Sequence, residues 1–134
     1  MYYVSKRMEI AACHQLDLPY ESKCTNLHGH NYIVTVYCEA DKLNDCGMVA
    51  DFAKIKQHIH GYLDHGNLNE LLPNNMNPTA ENMAEWICKK VTEYCDTGYC
   101  YRVDVQESEG NIATYLCDEE EAFTYLCDGE EASN

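Results

Sequence analysis

Two histidines at the start of a β-forming segment constrain the fold of this chain more than any other feature. His28 and His30 stand on either side of Gly29, within the run CTNLHGH of residues 24–30. Residues 31–40 are rich in β-branched and aromatic side chains, so we predict a strand that begins near the pair. Because alternate strand side chains share a face, both imidazoles would point to one side of the sheet. The pair is the start of a candidate metal site, which needs a third ligand.

The rest of the chain predicts an α+β fold. Alternating apolar residues indicate strands over 2–12, 99–107 and 112–117, besides the strand over 31–40. Between the two strand pairs, a predicted helix over 51–63 has an apolar face formed by Phe52, Ile55, Ile59 and Leu63. We predict a loop over 63–69, then a second helix that begins after the cap residue Thr79. The order ββααββ predicts a four-stranded antiparallel sheet with two helices on one face.

Composition excludes some classes of partner. The chain holds nine Lys and Arg against 23 Asp and Glu, a formal charge of −14. Nucleic acids and anionic membrane surfaces attract basic patches, so neither is an expected partner, and no stretch has the length of a membrane span. The nine cysteines are an odd number, form no CxxC pair, and follow no apolar leader within residues 1–7. We therefore expect a cytoplasmic protein with reduced thiols.

The C-terminal end repeats itself. The run TYLCDEEEA of residues 114–122 returns as TYLCDGEEA at 124–132. The first copy would complete the last strand, and the second cannot pair in the same register. We therefore predict one catalytic domain over 1–117 and an acidic, duplicated tail over 118–134, which such a composition can leave disordered.

His14 is the candidate third ligand. It follows the first predicted strand, and a hairpin of the first two strands would bring it to the same end as His28 and His30. Three neutral imidazoles suit Zn²⁺, and three protein ligands leave the open position that is typical of catalytic zinc. The alternative is a packed His14 beside an incidental pair of histidines.

Other residues are candidates for chemistry beside such a metal. Cys24 lies in a polar loop, where a thiol can act as a general base or as a nucleophile. Asp64 precedes His65, and a carboxylate can orient an imidazole for proton exchange. The alternatives are a packed thiol, an incidental dipeptide and, for Glu107, an ordinary surface acid at the end of a strand.

In several sequence blocks the chain resembles the 6-pyruvoyltetrahydropterin synthase family. The resemblance covers residues 1 to about 117 and leaves the repeated tail outside. It is carried by His14 and by the blocks over 24–32, 47–56, 63–69, 77–82 and 103–108. It implies a tunnelling fold, in which ββααββ protomers form trimers whose sheets close a barrel, and two trimers stack into a homohexamer.

The resemblance also implies roles for single residues. His14, His28 and His30 resemble the zinc ligands of the family. Cys24 resembles its general base, and Asp64 with His65 resembles a proton relay that a neighbouring subunit usually contributes. Glu107 resembles the residue that anchors the pterin, whose edge would donate two parallel N–H bonds to the carboxylate. Thr79 and Ala80 resemble the segment that completes the pterin pocket.

The implied substrate is 7,8-dihydroneopterin triphosphate, a small pterin. The bacterial branch, which serves queuosine and 7-deazapurine synthesis, makes 6-carboxy-5,6,7,8-tetrahydropterin and releases triphosphate and acetaldehyde. The animal branch makes 6-pyruvoyltetrahydropterin and carries a longer insert before the histidine pair. Cys24 lies only four residues before His28, which favours the carboxy product and a zinc-dependent lyase.

Two other functions are compatible with the same fold. One is an aldolase that makes 6-hydroxymethyl-dihydropterin, but members of that kind carry Glu in the region of Cys24. The other is a zinc-stabilised barrel that binds a pterin or purine without turnover. Such a binding protein has no need of Cys24, Asp64 and His65, so these residues favour the enzyme.

Overall fold

A single mixed sheet forms the frame of the molecule. A computed structural model describes the backbone of residues 1–133 and the side chains of residues 1–126. The sheet has five strands in the order β3-β1-β2-β4-β5. The strands are β1 (Tyr2–His14), β2 (His28–Ala40), β3 (Gly66–Asn67), β4 (Tyr99–Ser108) and β5 (Asn111–Leu116). β1 and β2 pair antiparallel along their whole length, from Tyr2 opposite Ala40 to His14 opposite His28.

Strand alternation separates a core face from an open face. The even-numbered positions from Met8 to His14 of β1 and from Tyr32 to Ala40 of β2 are buried. β4 adds Val103 and Val105 to the same core. His14, His28 and His30 continue this even-numbered row at the end of the hairpin. The candidate metal site is thus the polar end of the hydrophobic core.

The helices cover the core face of the sheet. Residues 52–63 wind as one helical stretch with a π-helical centre: α1 (Phe52–Ile55), the π turn Lys56–His60 and α2 (Gly61–Leu63). α3 (Leu68–Leu71) is a single turn, and α4 (Ala80–Glu93) is the long helix that packs on β4 and β5. The predicted apolar stripe of α4 is confirmed, because Met83, Trp86, Ile87 and Val91 are all buried.

The predicted sheet of four strands is wrong, because β3 adds a fifth, parallel strand. Residues 63–69 were expected as a loop, but Gly66 pairs with Ala12 of β1, and α3 follows at once. A Cβ at Gly66 would lie too close to the terminal methyl of Leu71, so the glycine lets β3 and α3 pack here without a shift of that side chain. A two-residue strand has too few side chains to produce an alternating pattern in the sequence.

The prediction for Phe52 is also wrong. Ile55, Ile59 and Leu63 are fully buried as expected, whereas Phe52 is 45% exposed. Phe52 is the first helical residue after the cap Asp51, and the ammonium of Lys6 lies 5.9 Å from its ring centroid. The buried face of the helix therefore begins at Ile55, about one turn later than the sequence pattern indicated.

The repeated tail forms a helix, α5 (Glu119–Ser133), where the sequence predicted an extension that could be disordered. The carboxylate of Asp118 accepts a hydrogen bond from the backbone N–H of Glu121 at 2.8 Å, as a helix cap does. The acidic run 119–121 then lies in the first turn, where the helix dipole favours negative charge. Ala122 is buried, so the helix is also held by packing. Among the described residues, no helix is long and apolar enough to cross a membrane.

Candidate metal centre and neighbouring cleft

Two paired strands bring the predicted metal ligands together. His14 ends β1, His28 opens β2 directly opposite it, and His30 lies opposite Ala12. Because all three positions belong to the same row of side chains, their rings converge at one corner of the core. The ligand atoms of these histidines and of Glu107, from β4, all lie within 4.8 Å of one another.

Backbone carbonyls fix the orientation of two imidazoles. Nδ1 of the fully buried His14 lies 2.7 Å from the carbonyl oxygen of Pro78. Nδ1 of His28 lies 2.7 Å from the carbonyl oxygen of Asn26. A carbonyl can only accept, so each Nδ1 carries the proton and donates it. In a neutral ring this leaves a lone pair on each Nε2.

The free lone pairs face each other. Nε2 of His14 and Nε2 of His28 are 3.0 Å apart. Two lone pairs at that distance repel unless a cation or a proton lies between them. Nε2 of His30 is buried beside them; its close polar neighbour is Oε1 of Glu107 at 2.9 Å, and the geometry of that contact does not meet the criteria for a hydrogen bond. Converging and otherwise unused lone pairs fit a metal ion.

Burial keeps His30 in the form that a metal needs. Desolvation lowers the pKa of His30, and the neighbouring His14 and His28 lower it further. The charge of Glu107 acts in the opposite direction but does not outweigh burial. A histidine with a lowered pKa remains neutral at physiological pH and offers its lone pair.

Glu107 lies closer to the histidines than the sequence predicted. Its Oε1 is 2.9 Å from Nε2 of His30 and 3.2 Å from Nε2 of His14. In this arrangement the carboxylate occupies a position from which it could join the metal ligands. Sequence reasoning placed Glu107 at the pterin edge alone, because the end of β4 carries no local sign of a metal ligand.

Glu107 also lines a cleft at the surface. The cleft has a volume of about 450 Å³ and is lined by Ala80, Glu81, Glu107, Gly110, Asn111, Ile112 and Ala113. Thr79 precedes Ala80 and caps α4, since its hydroxyl oxygen accepts a hydrogen bond from the N–H of Asn82 at 3.1 Å. The structure thus brings Glu107 and Ala80 into one cleft, with Thr79 fixing the segment that enters it.

Asp64 and His65 form a turn that is attached to β1. The N–H of Ala11 donates to Oδ1 of Asp64 at 2.9 Å, and the N–H of His65 donates to the carbonyl of Ala11 at 2.6 Å. His65 adopts a positive φ of 61°, which is uncommon for a residue with a side chain. Oδ2 of Asp64 is 3.5 Å from Nε2 of His65 and 3.7 Å from Nε2 of His60. The two predicted relay residues are therefore neighbours in space.

Cys24 lies in a separate turn. It is the middle residue of the 3₁₀ turn Lys23–Thr25, where its N–H donates to the hydroxyl oxygen of Ser22 at 3.2 Å. The thiol is half-buried and free. Among the described residues, no hydrogen bond links its sulfur to Asp64 or His65. Cys24 and the pair Asp64 and His65 are therefore carried by two different turns.

Sequence reasoning missed the groups that orient the ligands. Pro78 and Asn26 act through backbone carbonyls, which leave no residue-specific sign in a sequence. The hydroxyl of Tyr32 lies 3.2 Å from Nδ1 of His14, and burial raises the pKa of this phenol. The neighbour His60 was missed, although its position four residues before Asp64 on a helix could have indicated the contact.

Comparison with known proteins identifies the family. A sequence model described as 6-pyruvoyl tetrahydropterin synthase matches residues 3–118, which is most of the chain. The chain belongs to the 6-pyruvoyl tetrahydropterin synthase family. It is similar to the 6-carboxy-5,6,7,8-tetrahydropterin synthase of Synechocystis, with 36% identity over 87% of this chain and 94% of that protein. The Bacillus subtilis protein of the same name is 30% identical over 85% of this chain and 84% of its own length.

Other family members are similar over the same region. Human 6-pyruvoyl tetrahydrobiopterin synthase is 34% identical over 84% of this chain and 89% of its own length. The solved structure of Caenorhabditis elegans 6-pyruvoyl tetrahydropterin synthase superposes with a TM-score of 0.70 at 27% identity, covering 87% of this chain and 96% of that chain. The α+β fold of the family is thereby confirmed for this chain.

Proposed function

We propose that this protein is a zinc-dependent lyase that converts 7,8-dihydroneopterin triphosphate and one water molecule into 6-carboxy-5,6,7,8-tetrahydropterin, with release of triphosphate and acetaldehyde. The observation that carries the proposal is the convergence of three Nε2 atoms beside a cleft that contains Glu107. Relatives that are 30% to 36% identical over most of the chain are named for the carboxy product. The four-residue step from Cys24 to His28 supports the same branch.

The donor set supports zinc in particular. Ligand nitrogens about 2.0–2.1 Å from one tetrahedral Zn²⁺ lie about 3.3 Å from each other. The 3.0 Å between Nε2 of His14 and Nε2 of His28 is close to that spacing. Bound zinc would polarise the side-chain hydroxyls of the substrate and acidify the neighbouring C–H bonds.

Residues of the chain would bind the pterin and transfer the protons. The carboxylate of Glu107 accepts parallel N–H bonds from the pterin ring, while Thr79 and the backbone of Ala80 close the cleft. The thiolate of Cys24 removes a proton from the substrate side chain. Asp64 orients His65, which exchanges a proton with the substrate or the thiol. His65 is 84% exposed in a single chain, which supports its action at the cleft of a neighbouring subunit.

We extend the proposal to a homohexamer in the cytoplasm that serves queuosine synthesis. The sheet leaves one edge of β5 unpaired, and the exposed side chains of Ile112 and Leu116 lie along that strand. Pairing between subunits would cover such an edge. The cysteines whose side chains the structure describes are all free thiols, as expected in a reducing compartment.

A product assay tests the proposed function. Zinc-loaded protein is incubated with 7,8-dihydroneopterin triphosphate, and pterins, triphosphate and acetaldehyde are measured together. The carboxy reaction releases one acetaldehyde for each triphosphate. Triphosphate without acetaldehyde would instead establish the pyruvoyl reaction, which the 34% identity to the human enzyme favours as the second candidate. Binding of the pterin without either product would establish the non-catalytic binding protein.

A further inference from the structure

The three residues after His14 connect the separate parts of the site. Gln15, Leu16 and Asp17 follow β1 and have no strand partner of their own. Each nevertheless has its backbone N–H bound by a different segment of the chain. These contacts were invisible in the sequence, because they join residues that are far apart in it.

Asn69 holds Gln15 through a closed pair of hydrogen bonds. The N–H of Gln15 donates to Oδ1 of Asn69 at 2.8 Å, and Nδ2 of Asn69 donates to the carbonyl of Gln15 at 2.8 Å. The side-chain amide thus replaces a missing strand partner. Asn69 belongs to α3, which directly follows the strand that pairs beside Asp64 and His65.

Asn77 holds Asp17 in the same way. The N–H of Asp17 donates to Oδ1 of Asn77 at 2.9 Å, and Nδ2 of Asn77 donates to the carbonyl of Asp17 at 3.0 Å. Nδ2 of Asn82 donates in turn to the carbonyl of Asn77 at 2.9 Å. This segment continues into Pro78, whose carbonyl orients His14.

Leu16 completes the connection to the thiol. Its N–H donates to the carbonyl of Cys24 at 2.9 Å. The segment 15–17 therefore contacts the turn that carries Cys24, the helix after His65 and the loop before Thr79. It does so immediately after a buried metal ligand, so a shift of this segment would move the thiol relative to the metal centre.

We propose that Asn69 and Asn77 are positioning residues, which hold segment 15–17 so that Cys24 keeps its place relative to His14. The proposal rests on the proposed function for its effect on turnover, but not for its effect on metal binding or thiol accessibility. Both amides are at least partly accessible to solvent, so their pairing serves this segment rather than core packing. A misplacement of about 1 Å can cost roughly 100-fold in rate.

The experiment uses the full chain and the variants Asn69→Ala, Asn77→Ala and Asn77→Asp. Asn77→Asp preserves side-chain size but places an acceptor against the carbonyl of Asp17. Gln57→Ala, which removes an exposed amide from the π turn, is the matched control. Zinc affinity is measured by competition with a chromophoric chelator, and kcat and KM are measured separately. The iodoacetamide labelling rate of Cys24 in metal-free protein is compared with that of the exposed Cys46.

We expect zinc affinity to fall about 10-fold and kcat to fall roughly 10- to 100-fold in both Asn77 variants, with KM changed less than kcat. Labelling of Cys24 should accelerate relative to Cys46, and Gln57→Ala should match the wild type. Wild-type kcat, zinc affinity and labelling in Asn77→Asp would overturn the proposal, because packing alone predicts that result. If the wild-type protein forms no product, the proposed function fails, while zinc affinity and labelling still decide the positioning role.

Discussion

The candidate metal ligands and the predicted proton-transfer residues are held in opposite ways. His14, His28 and Glu107 extend from three adjacent strands, and backbone pairing sets their spacing before any metal arrives. Cys24 and His65, the predicted proton-transfer residues, belong to turns in separate parts of the sequence. The comparison teaches that strand pairing fixes the candidate metal centre, whereas turns carry the predicted proton-transfer residues.

Replacing a metal ligand should have the largest effect. We expect His14→Gln to lower zinc affinity by at least about 100-fold, because removing groups that only orient a ligand already costs 10- to 100-fold. Product formation should disappear with the metal. Metal content after desalting and a thermal melt are the measurements, and His28→Gln repeats the test at a position that is less buried than His14.

The control for the ligand variants is His58→Gln, which changes an exposed histidine that stacks on Tyr94, 4.3 Å between ring centroids. It should retain zinc and turnover. Retention of full zinc stoichiometry and affinity in His14→Gln would contradict a metal centre built on the strand ends.

Cys24→Ala should lower turnover without affecting the candidate metal centre. We expect kcat to fall by about 100- to 10,000-fold, the range for loss of a general acid or base, while zinc content and oligomeric state stay unchanged. Cys46→Ala, an exposed thiol in another loop, is the matched control. Full turnover in Cys24→Ala would remove the thiol from the mechanism and leave the metal centre intact.

The long strands could be predicted from the sequence because apolar side chains alternate along them, and most of these apolar positions are buried. β1 and β2 alternate buried and exposed positions along most of their length, and the same alternation placed the histidines on one face. The short β3 and its parallel pairing could not be predicted, since they depend on Gly66 fitting against Leu71.

The repeat shows how tertiary context overrides local sequence. The residues TYL occur in β5 at 114–116 and in α5 at 124–126. The first copy pairs with β4, whereas the second follows a capped acidic turn and places Tyr125 with its hydroxyl 2.7 Å from that of Tyr115. Local propensity is identical in the two copies, so only the neighbours decide between strand and helix.

For the site, the sequence supplied the ligand types but not their surroundings. His14 could be proposed because a hairpin would bring it beside His28, and the strand register does so. The carbonyls of Pro78 and Asn26 could not be proposed, since any residue has one. The proximity of Glu107 to the histidines likewise depends on the pairing of β4 with β2, which lies far away in the sequence.

Glu107 both contacts the histidines and lines the neighbouring cleft, and Glu107→Gln decides which of these two contacts matters for function. An anchor for the pterin predicts that KM rises by about 10- to 100-fold, the cost of losing charged hydrogen bonds, with zinc affinity unchanged. A metal ligand predicts that zinc affinity falls instead. Chelator competition and steady-state kinetics on the same preparation separate the outcomes, and Glu109→Gln, an exposed acid in the adjacent turn, is the control.

The smallest expected effect is the pH dependence of the turn at Asp64. The hydrogen bond from the N–H of Ala11 is the main cause that lowers the pKa of Asp64, with His65 and His60 contributing in the same direction. A carboxyl with a lowered folded-state pKa stabilises the fold above its unfolded pKa of about 3.9, and this contribution is lost as pH falls through the folded value. The difference between the thermal melts of wild type and Asp64→Asn should therefore narrow as the pH falls from 7 to below about 4.

A constant difference across that range would mean that the charge of Asp64 does not stabilise the turn. The distinction matters for the comparison, because Asp64 both attaches the turn to β1 and faces two imidazoles. An activity loss in Asp64→Asn with an unchanged melt at neutral pH would assign that loss to proton transfer. A parallel loss of both would instead make Asp64 a residue that holds His65 in place, and the turn would then be fixed by β1 as firmly as the metal ligands are.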